Sequence, residues 1–333
     1  MPELSHNAYR WLLSQLTDAK RYLMLTALFT ILAGGCMIIQ AFSLATVLDR
    51  VFIHHAIRNN LLELLIIFLC TVIARSFFLY WRELFAEKTA VRVKTKIRKK
   101  YIKDHCGNPA LNAGIFSTTV INHVEALHGF FSNYLPQLMT VAILPAIILM
   151  VLFFQNWLIG LMLLCSAPLV PLFMAFIGIK AAAQHKKHTH LVSSIHDYFL
   201  DRIQGLSTLL FFGQATAGKK SVVAAAKKYQ DSTLRVLKIA FLSSATLEFF
   251  ATLAIAMTAI YLGLGLLGFI SFGFSGTMPT LQKTLFILLL APELFASLKQ
   301  LGNDYHAKNE AIGAANIILE TTCTEKKNDI VFA

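Results

Sequence analysis

Two arginines interrupt an apolar stretch of the sequence at residues 61–85, and their chemistry needs an explanation. Arg75 and Arg82 are seven residues apart, a spacing that places both on the same side of a helix. A guanidinium group inside a bilayer costs a few kcal/mol, so we expect each to face a water-filled cavity or a partner carboxylate. Arg82 also suits snorkelling toward the membrane surface. Because guanidinium groups match carboxylate geometry, the pair indicates a carboxylate substrate.

Five further polar residues lie in or beside apolar runs and complete the candidate substrate path: Gln40, Glu248, Glu293, Tyr305 and His306. Glu248 and Glu293 have the charge to pair with the arginines, either within the path or as purely structural ion pairs. For Gln40 a hydrogen bond to a neighbouring helix is favoured over one to substrate. For His306 ordinary hydrogen bonding is favoured over ligation.

The stretch "GQATAGKK" at residues 213–220 nearly matches a phosphate-binding loop. Gly213, Gly218 and Lys219 are in register with that motif, but Lys220 replaces the Ser or Thr that holds magnesium. A true phosphate loop joins a buried strand to a helix, and no strand pattern precedes Gly213. We therefore predict that this stretch does not bind ATP, and that Gly213 ends a helix.

The sequence gives little support for metal binding or for hydrolytic chemistry. His185, His188 and His190 have spacings of three and two, which do not bring all three to one helical face. A charged, solvated helix is favoured over a metal site there. The five cysteines form no zinc-type pair, and no Ser-His-Asp set or HExxH motif is present. We predict no metal site and no catalytic residues.

The composition predicts a membrane protein. Of the 333 residues 56% are hydrophobic and only 14% are charged, against roughly 25% charged in an average soluble domain. The net charge of +12 is better explained by Lys and Arg in cytoplasmic loops than by a nucleic-acid partner.

Six apolar runs are long enough to cross the membrane, since a spanning helix needs roughly 20 residues. They lie at about residues 22–48, 61–86, 130–154, 157–180, 246–270 and 281–301. The third and fourth are separated by "FFQNW", which predicts a tight hairpin. The fold class is therefore an all-α membrane protein with six transmembrane helices.

The charges also orient the chain. Residues 75–130 and 180–247 each carry ten Lys and Arg, while the other connections carry few or none. The positive-inside rule places these two long links and both termini in the cytoplasm. Residues 84–104 lack Gly and Pro, and 221–244 have a similar pattern, so we expect spans that continue as helices beyond the membrane.

The second long link contains a short amphipathic segment, "YFLDRIQGLSTLLFFG". Phe199, Ile203, Leu206 and Leu210 form one apolar stripe. Far from the membrane, this stripe must be buried against something. A docking surface for a cytoplasmic partner is the functional interpretation, and packing against the long helices is the alternative.

Several stretches resemble one family of transporters. They are "YFLDRIQGLSTLLFFG", "VLKIAFLSSATLEFFATLAIA", "APLVPLFMAFIG", "LLLAPELF" and "LGNDYHAKNEAIGAA". Together with six spans and two long internal links, they are similar to the membrane domain of ABC exporters, and in particular to the CydD-type half of CydDC exporters. The resemblance runs from about residue 8 to 320.

The resemblance implies a type 1 ABC exporter transmembrane domain over residues 1–320, with 321–333 as a tail where a nucleotide-binding domain normally follows. Its implied partners are a CydC-type half-transporter, the lipid bilayer and a nucleotide-binding domain that supplies ATP and Mg²⁺ from another polypeptide. The implied activity is ATP-driven export of cysteine or glutathione, or of haem, across the bacterial inner membrane, in support of cytochrome bd assembly. Tyr305 and His306, in "DYHAK", are implied contacts for substrate or haem. This chain alone is not expected to be an enzyme.

The family also has two coupling helices that rest on the nucleotide-binding domains. The first corresponds to 107–119 and includes Gly114 and Phe116; residues of the second are Asp201, Arg202, Gly205, Leu206 and Leu209. The alternative function is an ATP-independent adaptor, or a remnant of a split gene that only binds a partner. An ion-driven transporter would predict inverted repeats, which the sequence does not show.

Overall fold

The computed structural model describes residues 2–53, 59–105, 116–117, 119–169, 172–173, 203–270, 272–273 and 279–331. Within these ranges every regular element is a helix. The chain divides into two compact units, one formed by Met1–Ala167 with Ile255–Ala333, and the other by Pro168–Ala254.

The first unit contains most of the long helices. In chain order its elements are α1 (Pro2–Ser14), a 3-10 turn (Gln15–Asp18), α2 (Lys20–Phe52), α3 (Asn59–His105), α4 (Leu135–Gln155), α5 (Trp157–Ser166) and, near the end of the chain, α8 (Leu281–Val331). Between α3 and α4, π-helical turns at Thr119–His123 and Phe130–Tyr134 flank the short helix Val124–Ala126.

The second unit contains α6 (Leu206–Phe211) and the beginning of α7 (Ala215–Leu266). Here Phe173 stacks on Phe250 with ring centroids 4.4 Å apart. The end of α7, from Ile255, belongs to the first unit. Leu267 and Gly268 form a turn, with Gly268 at φ 79°, so the helix ends at Leu266, four residues before the predicted limit.

In the described part of the chain, five helices are long and apolar enough to cross a membrane. They are Lys20–Phe52, Leu61–Asp104, Thr119–Gln155, Ala245–Leu266 and Leu281–Leu319. The fourth predicted span is represented by α5, a shorter apolar helix, and residues 170–171 and 174–180 of that span lie outside the described residues. The all-α membrane architecture expected from the apolar runs is confirmed.

Two of these helices are much longer than a membrane crossing requires, in line with the predicted extensions. α3 has 47 residues and α7 has 52, lengths of roughly 70 and 80 Å at 1.5 Å per residue. Residues 84–104 and 221–244 lie inside them. α8 is also long, with 51 residues. Without Gly or Pro to end α3, its helix continues after the apolar residues stop.

The predicted hairpin between α4 and α5 is built by one asparagine. Asn156 adopts an extended conformation, with φ −159° and ψ 114°. Its side-chain oxygen accepts hydrogen bonds from the backbone N–H groups of Leu158 and Ile159, at 3.0 and 3.3 Å. This is an N-cap, which satisfies two donors at the start of α5.

The first unit has a buried apolar core, here called the extension cluster. Its buried residues come from α1, the turn at 15–19, α3, the 124–135 segment and α8: Ala8, Leu12, Leu16, Ala19, Ala90, Val93, Ile97, Tyr101, Val124, Leu127, Phe130, Phe131, Tyr134, Leu135, Ala311, Ala314, Ala315 and Ile318. The alanines of α8 at positions 311, 314 and 315 follow helical spacing and allow close packing. This cluster holds the N-terminal helix against the extensions of α3 and α8.

Candidate substrate path

Arg75 and Glu293 meet in the apolar region of the first unit. The Arg75 Nη2 atom donates to both carboxylate oxygens of Glu293, at 3.1 and 3.2 Å. The two side chains are 27% and 33% exposed, so both charged groups remain partly accessible from outside the chain while they are paired. The contact joins α3 to α8 across 218 positions of sequence.

Three hydrogen bonds fix α8 beside its neighbours and so position Glu293. The backbone N–H of Gln282 donates to the Asp49 carboxylate at 3.1 Å, and the Gln282 side chain donates to the Thr46 hydroxyl at 2.7 Å. Further along, the Gln137 side chain donates to the Ser297 carbonyl at 2.9 Å. α8 is therefore tied to α2 on one side of Glu293 and to α4 on the other.

Arg82 has different partners. It forms an ion pair with its neighbour Glu83, and its Nη1 lies 3.5 Å from the Thr140 hydroxyl. Its Nε atom is buried and has no hydrogen-bond partner among the described residues. A buried unsatisfied donor is costly, so this atom has capacity for a further acceptor.

A cavity of about 40 Å³ lies between the two arginines, enough for about one water molecule. Its polar lining consists of Thr30, Arg75, Arg82 and Thr140. Gly34 of α2 forms part of the wall, and a Cβ atom there would lie 2.8 Å from Leu144 Cδ1. The seven-residue spacing thus brings both guanidinium groups to one small polar site among α2, α3 and α4.

The other candidate residues are dispersed. On α2, the Gln40 side-chain oxygen is buried without a hydrogen-bond partner in the described part of the chain. Glu248 is exposed on α7, in the second unit. Tyr305 and His306 are exposed on α8. Neither residue lines the cavity between the two arginines.

Lys308 is a polar residue that the sequence analysis did not select. Its Nζ atom lies 4.9 Å from the ring centroid of Tyr305, 5.4 Å from that of Tyr9 and 5.6 Å from that of Tyr134. Three tyrosines from α1, α8 and the turn before α4 therefore surround one ammonium group. The signal available in the sequence was Tyr305 three residues before Lys308, the spacing of helical neighbours.

The segment expected to dock a partner forms α6 and its flanks. Gly205 lies in a turn and α6 follows. Ile203 is 65% and Leu210 61% exposed, and Phe211 is 87% exposed. Gly213 has φ 64°, and its N–H donates to the Leu210 carbonyl at 3.1 Å. The prediction that Gly213 ends this helix is confirmed.

The near-match to a phosphate loop is helical. Gly218, Lys219 and Lys220 lie in the first turns of α7, where their backbone N–H groups serve the helix instead of forming a loop. The Gly218 N–H donates to the Gln214 carbonyl at 3.0 Å.

The remaining coupling-helix predictions are described only in part. Phe116 packs against the extension cluster and stacks on Tyr101 with centroids 5.9 Å apart. Leu206 and Leu209 belong to α6. Gly114, Asp201 and Arg202 lie outside the described residues, as do the histidines at 185, 188 and 190. Among the described residues, no His, Cys, Asp and Glu group could hold a metal ion.

The family model for the ABC transporter transmembrane region matches residues 23–289. Because this match covers most of the chain, the protein belongs to the ABC transporter transmembrane family and is a multi-pass membrane protein.

Within that family the chain is similar to CydD proteins, as the sequence motifs predicted. It is 34% identical over 312 residues to the glutathione/L-cysteine transport system ATP-binding/permease protein CydD of Escherichia coli strain K12, covering 92% of this chain and 53% of the relative. The corresponding CydD of Haemophilus influenzae is 35% identical over 316 residues, covering 93% and 54%. CydC of Bacillus subtilis is 28% identical over 306 residues, covering 90% and 52%. The chain spans about half the length of the curated relatives it matches.

Proposed function

We propose that this protein is the membrane-spanning part of an ATP-driven exporter that moves cysteine or glutathione out of the cytoplasm. It works in the bacterial inner membrane with both termini inside, beside a CydC-type half-transporter. ATP and Mg²⁺ are bound by nucleotide-binding domains outside residues 1–333, and assembly of cytochrome bd is the expected physiological outcome.

The observation that carries the proposal is the arginine site. Cysteine and glutathione both carry carboxylates, and a guanidinium group binds a carboxylate through two parallel hydrogen bonds. Glu293 accepts from one nitrogen of Arg75, Nη2, and Arg82 has a buried Nε–H without an acceptor among the described residues. An incoming carboxylate can therefore take up donor capacity that the protein itself leaves unused.

Energy transfer depends on α6. Its large apolar side chains at 210 and 211 are more than half exposed, which is unfavourable in water. Contiguous apolar patches of this kind are typical of interaction sites. We infer that a nucleotide-binding domain covers them, and that movement of that domain is transmitted along the rigid helix α7.

The test is reconstitution with a CydC-type partner and nucleotide-binding domains, followed by ATPase and vesicle transport assays. Cysteine, glutathione and haem are added separately. We expect cysteine or glutathione to stimulate ATP hydrolysis, and Arg75→Gln to abolish most of the stimulation. If haem stimulates ATP hydrolysis and neither cysteine nor glutathione does, the exported cargo is haem and not a thiol compound.

A pair of variants separates coupling from folding. Phe211→Asp places a charge on the exposed face of α6 and should uncouple ATP hydrolysis from transport. Thr216→Asp introduces the same charge at an exposed position five residues away and should leave coupling intact. If the complex forms but neither variant alters ATPase or transport, docking through α6 is wrong. If no ATPase associates at all, the adaptor function replaces the exporter.

A further inference from the structure

One face of the α3 extension is strongly basic. Five cations recur along it at the spacing of neighbouring helical turns: Lys88, Arg92, Lys96, Lys99 and Lys103. All five are exposed, and no Asp or Glu of α3 falls on this face. Elsewhere on α3, Lys94 and Arg98 both pair with Glu125, at 2.6 and 3.3 Å. Lys88, Arg92, Lys99 and Lys103 form no ion pair among the described residues, so these four give the face its excess positive charge.

This basic face starts where the apolar part of α3 ends. Phe85 stacks on Tyr22 with ring centroids 6.2 Å apart, near the start of α2. The Lys88 ammonium lies 5.4 Å from the Phe85 ring, and the Arg92 guanidinium lies 5.8 Å from the Tyr22 ring. Aromatic rings are enriched at the boundary between hydrocarbon and headgroups. Arg92 is seven residues, about 10 Å, beyond Phe85, which places it at headgroup level.

A cavity of about 150 Å³ opens beside Arg92. Its lining residues are Gln15, Ala19, Arg92, Val93 and Lys96, so it lies between the turn after α1 and the basic face of α3. Its volume corresponds to about five water molecules. The Arg92 guanidinium contacts the ring and hydroxyl of Tyr22, and these partners bring no negative charge to balance it.

We propose that this cavity binds the phosphate of an anionic phospholipid in the leaflet that faces the helical extensions. Arg92 provides the forked donor set that suits a phosphate, Lys96 and Gln15 border the same space, and Lys88 attracts the headgroup from the membrane side. The lipid tails continue along the exposed apolar part of α3, where Phe77 and Ile73 are more than half exposed. Basic pockets between helices at this level are typical sites for anionic lipid headgroups.

The site has a structural consequence. It is bordered by the turn that joins α1 to α2, so an occupied cavity links the N-terminal helix to α3 through the lipid. Bound lipid should therefore protect the turn at residues 15–19 from local unfolding.

Native mass spectrometry of the purified full chain tests the site, with phosphatidylglycerol and phosphatidylcholine of identical acyl chains as the probes. We expect phosphatidylglycerol to be retained several-fold more than phosphatidylcholine. Arg92→Gln should bring the two lipids close to equal retention, and Arg92→Lys should lower the preference less. Arg235→Gln removes the same charge from an exposed position on α7 and should have no effect.

A displacement experiment and a hydrogen-exchange experiment test the lipid proposal further. Soluble glycerol phosphate at millimolar concentration should not displace the lipid; full displacement would show a free-phosphate site and overturn the lipid proposal. Hydrogen exchange at residues 15–19 should slow when phosphatidylglycerol is added to the wild type and not to a folded Arg92→Gln variant. Equal retention of both lipids, or equal preference in all variants, would also overturn it.

Discussion

The Arg75 guanidinium and the Glu293 carboxylate form an ion pair, with Nη2 3.1 Å from Oε1, although 218 positions of sequence separate them. The pair removes two isolated charges from the apolar region of the first unit. Neither helix would otherwise be easy to insert, since one charge at the centre of a spanning helix costs roughly 3 kcal/mol on the insertion scale.

Removing one member of this pair should destabilise the protein more than removing both. Arg75→Gln and Glu293→Gln each leave an unpaired charge, and we expect each to lower the melting temperature in detergent by several degrees. The double variant should recover most of that loss. If Arg75 also binds cargo, the double variant will regain stability but not cargo-stimulated ATPase activity. Recovery of both properties would make the pair purely structural.

The control for these variants is Lys99→Gln, an exposed charge on α3 far from the pair. Because surface charges contribute little, its melting temperature should stay within about one degree of the wild type. A loss as large as that of Arg75→Gln would show that charge removal from α3 is harmful in general.

The fold could be read from the sequence because its signals are local. Apolar runs long enough to cross a bilayer predicted the spans, and the absence of Gly and Pro at 84–104 predicted the continuous helix α3. Asn156 in "FFQNW" has a side chain suited to a helix N-cap, so the hairpin was also predictable. The end of α7 at Leu266 was less so, because residues 267–270 are as apolar as the helix itself.

The sequence predicted which residues form the site but not how they pair. Charge and spacing selected Arg75, Arg82 and Glu293, but nothing local distinguishes Glu293 from Glu248 as the partner of Arg75. That choice depends on which helices pack together. Lys308 was missed for the same reason, since two of its three tyrosines come from distant elements. Long-range packing, rather than residue type, determines these contacts.

We expect replacement of Gly34 by alanine to be less well tolerated than the same replacement at the adjacent Gly35 on α2. A Cβ atom at Gly34 would lie 2.8 Å from Leu144, whereas at Gly35 it would meet nothing within 4 Å. Both replacements by Ala gain about 1 kcal/mol of helix propensity, but at Gly34 the crowding offsets this gain. We expect Gly35→Ala to raise the melting temperature and Gly34→Ala to leave it unchanged or lower it.

Larger residues extend the comparison to function. Gly34→Leu should fill the 40 Å³ cavity and reduce cargo-stimulated ATPase activity, while Gly35→Leu should not. Equal activities for the two leucine variants would mean that cargo does not use this cavity.

We expect Lys308 to stabilise the packing of the N-terminal helix α1 against α8. Its ammonium lies 5.4 Å from the Tyr9 ring on α1 and 4.9 Å from the Tyr305 ring, and cation–π contacts contribute roughly 0.5–2 kcal/mol. Lys308→Gln should therefore loosen α1 and accelerate trypsin cleavage after Arg10, which is exposed on that helix. Lys308→Arg retains the charge and should keep cleavage slow. Unchanged cleavage in Lys308→Gln would show that the apolar contacts of Leu12 are sufficient.

Gly213 should be required for the shape of the docking segment, and Gly218 should not. With φ 64° and open space around the α-carbon, an alanine at 213 meets no clash but enters a conformation that costs about 1 kcal/mol. Asparagine tolerates this conformation better, so Gly213→Asn should be milder. Gly218 is inside helix α7, where alanine is favoured by up to about 1 kcal/mol. Hydrogen exchange at residues 206–212 should therefore accelerate in Gly213→Ala, change little in Gly213→Asn, and stay the same or slow in Gly218→Ala. If all three variants exchange alike, the turn at Gly213 does not stabilise α6.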